Sequence, residues 1–101
     1  MNLIDYAKNV IRLNNERLAH IKEHPEMLNH IDKIKETLSN PDIVVKSRTD
    51  EEVNLYYRYY ERLSIGNKYL CVVVKCKQDD AFLVTSYFTD SIKKGEIIWK
   101  R

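Results

Sequence analysis

At 101 residues the chain has the length of a single domain, residues 1–101. Its composition, 44% hydrophobic and 32% charged, fits a soluble globular protein, and no run of 18 apolar residues is present to span a membrane. The net charge of +2 is only mildly basic, so it neither requires nor excludes a nucleic-acid partner.

The start, Met1-Asn2-Leu3-Ile4-Asp5, has no basic segment followed by an apolar one, so no secretory signal is expected and a cytoplasmic location follows by default. Leu3, Ile4, Tyr6, Ala7, Val10 and Ile11 have a helical spacing, although Val10 to Leu13 also suits a short strand. Asn14 or Asn15 can cap a helix over about residues 15–24, with Leu18 and Ile21 on its core side. Pro25 suits the first position of a second helix, where Met27, Leu28, Ile31, Ile34 and Leu38 recur at the helical period. Asn40-Pro41 ends it.

Beyond Pro41 the period becomes two. Ile43-Val44-Val45 begins a strand, and Leu55 to Tyr60 is a β-prone, tyrosine-rich run. Ser64 to Asn67 forms a turn, and Tyr69 to Lys77 reads as a central strand. Gln78-Asp79-Asp80 turns the chain into a strand over 82–88. Alternation places Phe82, Val84, Ser86 and Phe88 on one side of that strand, and Leu83, Thr85 and Tyr87 on the other. Ile97 to Trp99 adds a short edge strand. Helices followed by hairpin-linked strands predict an α+β fold, an antiparallel sheet with helices on one face. Cys71 and Cys76, five apart on one strand, point to opposite faces and pack as free thiols.

Three groups of residues carry chemistry. His20 and His24 lie one helical turn apart, and Pro25 forces His24 to the helix end. Imidazoles exchange protons near neutral pH, and they equally well cap and cover a helix end. No cysteine or carboxylate completes a metal pattern with them, so no metal and no cofactor is expected. Arg58 stands among four tyrosines, where a guanidinium can stack and still offer its fork to a phosphate. Thr85 and Tyr87 share one strand face, and their hydroxyls can bind phosphate oxygens. Lys75, Lys77, Lys93, Lys94, Lys100 and Arg101 make the second half basic, which is compatible with phosphate binding and equally with a solvated face.

Taken in order, His20-Ile21-x-x-His24-Pro25-Glu26, Asn40-Pro41-Asp42, Tyr57-Arg58, Tyr69-Leu70-x-Val72-Val73-Val74-Lys75 and Thr85-Ser86-Tyr87-Phe88-Thr89 resemble the phage-associated branch of the barnase–EndoU–colicin–RelE-like ribonucleases. The resemblance covers roughly residues 10–100. It implies N-terminal helices on a four-stranded antiparallel sheet and metal-independent RNA cleavage by attack of the ribose 2′-hydroxyl. It implies His20 and His24 as base and acid in either order, Arg58 as the cation, and Thr85 and Tyr87 as phosphate binders. Lys75, Tyr57, Lys93 and Lys94 would bind RNA. A toxin or phage-encoded nuclease, with an antitoxin or immunity protein as partner, belongs to the same expectation. The competing reading is a non-catalytic module that binds RNA on a tyrosine-lined sheet or serves protein interaction. Convergence of His20, His24, Arg58, Thr85 and Tyr87 on one pocket would favour the enzyme.

Overall fold

The computed structural model describes residues 1–101. At its centre β3 (Ile43–Lys46), β4 (Val53–Leu63), β5 (Gly66–Lys77) and β6 (Asp80–Thr89) form an antiparallel meander. Its register sets Ile43 against Tyr57, Tyr57 against Cys71, and Cys71 against Tyr87. This is the meander that the two-residue period predicts. β7 (Glu96–Lys100) pairs antiparallel with β3, where an edge strand was expected.

The sheet is nonetheless larger than the four strands expected. Residues 1–13 do not form a helix: β1 (Asn2–Ile4) and β2 (Val10–Arg12) make a hairpin in which Leu3 opposes Ile11. Asp5 is the local cause. Its Oδ1 accepts the backbone N–H groups of Ala7 (2.9 Å) and Asn9 (2.8 Å), a side-chain turn that competes with helical hydrogen bonds. β2 then lies parallel to β6 at Arg12 and Phe82. The resulting seven-stranded order is β1-β2-β6-β5-β4-β3-β7. The hairpin and β7 cover the two meander edges, which would otherwise present unpaired backbone groups.

The helices follow the sequence more closely. α1 (Asn15–Lys22) is capped by Asn14, whose side chain accepts the Arg17 N–H at 2.7 Å. His24 is extended (φ −82°, ψ 113°), as a residue before proline should be. Pro25 opens only a single 3₁₀ turn, Pro25–Met27, and α2 (Ile31–Ser39) starts afresh after it. The single helix read from Pro25 to Leu38 is therefore broken. Leu28 is exposed rather than part of a continuous apolar stripe, and the His30 ring meets Phe88 edge-on at 5.5 Å.

Ile21, Met27, Ile34 and Leu38 join Val44, Tyr56, Leu70, Val72, Val74 and Leu83 in one core, so both helices cover the same sheet face. A smaller cluster of Val45, Leu55, Tyr57 and Cys71 lies on the other face and contains no helix residue. Leu83 corrects the alternation read along β6. Val73 opposes Thr85 but Val74 opposes Leu83, so Val84 is an extra residue. This bulge reverses the phase of the strand, turning Leu83 towards the helices and Phe82 to the side of Thr85 and Tyr87. Cys71 and Cys76 are free and belong to opposite faces.

Candidate functional site

The helix-free face is half open and holds a hollow of about 460 Å³. Thr85 and Tyr87 of β6 form part of its floor with Val53, Leu55 and Val73. Its walls are two loops, Ser47-Arg48-Thr49-Asp50 between β3 and β4, and the segment before β7 with Lys93 and Lys94. Ile92 packs on the sheet beside Tyr57 and Cys71, which anchors the lysine loop over the face. Gly95 lets that loop pass close to β3: a Cβ there would clash with the Lys46 carbonyl oxygen.

The electrostatics of the hollow are one-sided. Arg48, Lys93 and Lys94 are exposed, and no carboxylate pairs with them. Lys75 differs. Its Nζ donates to Asp50 Oδ2 at 2.9 Å and lies 3.6 Å from Glu52. The Asp50 hydrogen bond raises the ammonium pKa and holds the Asp50 carboxyl below its usual range. Burial pushes the Tyr87 phenol well above its ordinary pKa, with the Cys71 thiol beside it adding to the effect. Both effects favour the protonated phenol. Tyr57 is fully buried and is pushed up to about 12, chiefly by desolvation. Its oxygen accepts the backbone N–H of Lys93 at 3.1 Å. Tyr57 thus fixes the lysine loop and offers no ring surface to a ligand, which corrects its expected role as an RNA-binding residue.

The five residues expected to converge divide between the two faces. Thr85 and Tyr87 line the hollow. His20 and His24 are exposed on the helix layer with ring centroids 6.3 Å apart, their Nδ1 atoms 3.5 Å from Glu23 and 3.9 Å from Glu26. Arg58 alternates onto the helix side of β4. It donates to the Asn40 carbonyl at 2.7 Å, lies 3.4 Å from Glu36, and covers the Tyr60 ring at 5.7 Å. None of the three lines the open hollow. Sequence reasoning missed Arg48 and Asp50, because a polar Ser-Arg-Thr-Asp loop between strands looks like any turn.

An α+β chain with its helices packed on one face of the sheet is the arrangement that the motif resemblance implies. Residues 2–100 match the family model described as phage-Barnase-EndoU-ColicinE5/D-RelE like nuclease2. The chain belongs to this PBECR2 nuclease family. No curated protein and no solved structure matches it. No helix of this PBECR2 protein is long and apolar enough to cross a membrane.

Proposed function

We propose that this PBECR2 chain is a metal-independent endoribonuclease whose reactive phosphate sits on the helix-free face. The observation that carries the reading is the joining of three unpaired cations, Arg48, Lys93 and Lys94, to the hydroxyls of Thr85 and Tyr87 in one hollow. Phosphodiester cleavage by the 2′-hydroxyl builds negative charge on the phosphorane, and preorganised cations oppose that charge. We assign Tyr87, which lines the hollow, as the donor to the phosphate or the leaving 5′-oxygen. Asp50 is the one carboxylate lining the hollow and is assigned as the acceptor of the 2′-hydroxyl proton on that ground alone.

The division of the five expected residues supports a second reading, a face that holds RNA without cutting it. One experiment separates the two. The pure protein is incubated with total RNA in chelator, and the products are resolved and their ends analysed. Fragments ending in 2′,3′-cyclic phosphate are expected, with Tyr87→Phe slower by roughly 10²- to 10⁴-fold. Intact RNA that nevertheless binds the protein would sink the enzyme and leave the binder.

A further inference from the structure

The open face extends beyond the hollow. Along its strands the cross-strand row Leu55–Val73–Thr85 is followed by Tyr57–Cys71–Tyr87 and then by Tyr59–Tyr69–Thr89. Tyr57 meets Tyr69 edge-on at 6.3 Å, and Tyr69 meets Tyr59 at 5.0 Å with their planes 62° apart. The rings form a relay from the Lys93 backbone outwards. Its first member is sealed in the core, whereas its last, Tyr59, is 42% exposed. Tyr59 thus presents a partly exposed ring one strand row beyond Tyr87, which lines the cationic hollow. The strand that carries Tyr59 is anchored by that residue's backbone N–H, which donates to Asp42 Oδ2 at 2.7 Å.

We infer that Tyr59, braced by Tyr69, is a nucleobase-stacking subsite, and that the ligand of this face is single-stranded RNA. The inference rests on the phosphate site proposed above. Successive rows on one strand face are separated by about 6.7 Å, two residues of strand rise. That is about the step of one extended nucleotide, so a phosphate held at Lys93, whose backbone is tied to Tyr57, would bring the neighbouring base towards the next row, Tyr59–Tyr69. A base in a duplex is already stacked and paired and has no free face to offer. Stacking tolerates any base, and purines, with the larger π-surface, gain more.

The test is fluorescence anisotropy of the whole chain with a labelled 2′-O-methyl oligoadenylate, which cannot be cut by 2′-hydroxyl attack. Tyr59→Ala should weaken binding roughly 5- to 100-fold, the range for one lost base stack. Tyr59→Phe should bind like wild type, because the ring and not the hydroxyl acts. The salt dependence should be unchanged in Tyr59→Ala and shallower in Lys94→Ala, by about 0.7 in log–log slope. Oligouridylate should lose less than oligoadenylate. Equal binding by wild type and Tyr59→Ala, no binding by wild type, or equal binding of duplex and single strand would each overturn the subsite. The outcome is separable from that of the nuclease reading. Tyr59-dependent binding without cleavage of natural RNA would keep the subsite and remove the enzyme, and cleavage indifferent to Tyr59 would do the reverse.

Discussion

Arg58 shows what a single residue's alternation decides. One position earlier or later it would face the open hollow. At 58 it faces α2, where it joins the Asn40 carbonyl, Glu36 and the Tyr60 ring. Its work there is to tie the end of α2 to β4. Arg58→Lys keeps the charge and loses the planar fork, so the expected result is a loss of about 1–2 kcal/mol of stability. Cleavage by the protein that remains folded should be unchanged. A denaturant midpoint equal to wild type together with lost activity would return Arg58 to the reaction. The two histidines also stand apart from the hollow. They are exposed, lie beside Glu23 and Glu26, and do not line the hollow that holds Thr85 and Tyr87. His20→Ala and His24→Ala should each leave the cleavage rate within about twofold, far from the 10²-fold or more that loss of a general acid or base costs. A pH–rate profile that lost one limb in either variant would contradict this placement.

Between residue and fold, the β1–β2 hairpin rests on one buried carboxylate. Asp5 is almost fully buried, and Tyr56 donates its hydroxyl to Asp5 Oδ2 at 2.7 Å, joining the hairpin loop to the middle of β4. Removing that donor leaves a buried charge short of a partner. Tyr56→Phe should therefore cost about 1.5–3 kcal/mol, the range for a hydrogen bond to a charged group. For a chain of this length that lowers Tm by roughly 6–20 °C. Calorimetry reads the change directly, and a shift below about 2 °C would mean that the hairpin does not depend on the contact. The bulge at Val84 acts on the same scale. It turns Leu83 into the helix-side core while leaving Thr85 and Tyr87 on the open face, so one strand serves the core and the site without a break in pairing.

Across the whole molecule, burial of tyrosines sets the response to alkali. Tyr57 is pushed up to about 12, and Tyr6, Tyr56, Tyr60 and Tyr87 are also raised, each chiefly by desolvation. A group with a raised folded pKa stays protonated in the native state when the unfolded chain has already lost its proton. Stability then falls with rising pH. It is fully present below the ordinary tyrosine value of 10.0 and declines as pH climbs towards 12. The urea midpoint should be flat from pH 7 to about 9 and fall steeply above about 10, with tyrosinate absorbance rising together with unfolding. A midpoint unchanged at pH 11 would show that these phenols are open to solvent.

Much of this was determined by local chemistry within the sequence. The cap at Asn14, the extended His24 before Pro25, the change of period after Pro41 and the opposite faces of Cys71 and Cys76 each depend on neighbours a few residues away. The motif order pointed to the right family, and alternation placed Thr85 and Tyr87 together on one face. Tertiary structure alone decided the rest. Residues 1–13 have a helical spacing, but pairing at Leu3–Ile11 and the buried Asp5–Tyr56 contact make them a hairpin. Proximity in sequence brought His20 and His24 together, yet which side of the sheet their helix covers is set by packing of Ile21, Met27, Ile34 and Leu38. Arg48 meets Lys93 and Lys94 only because β7 returns to pair with β3, a contact between segments more than forty residues apart that no local pattern encodes.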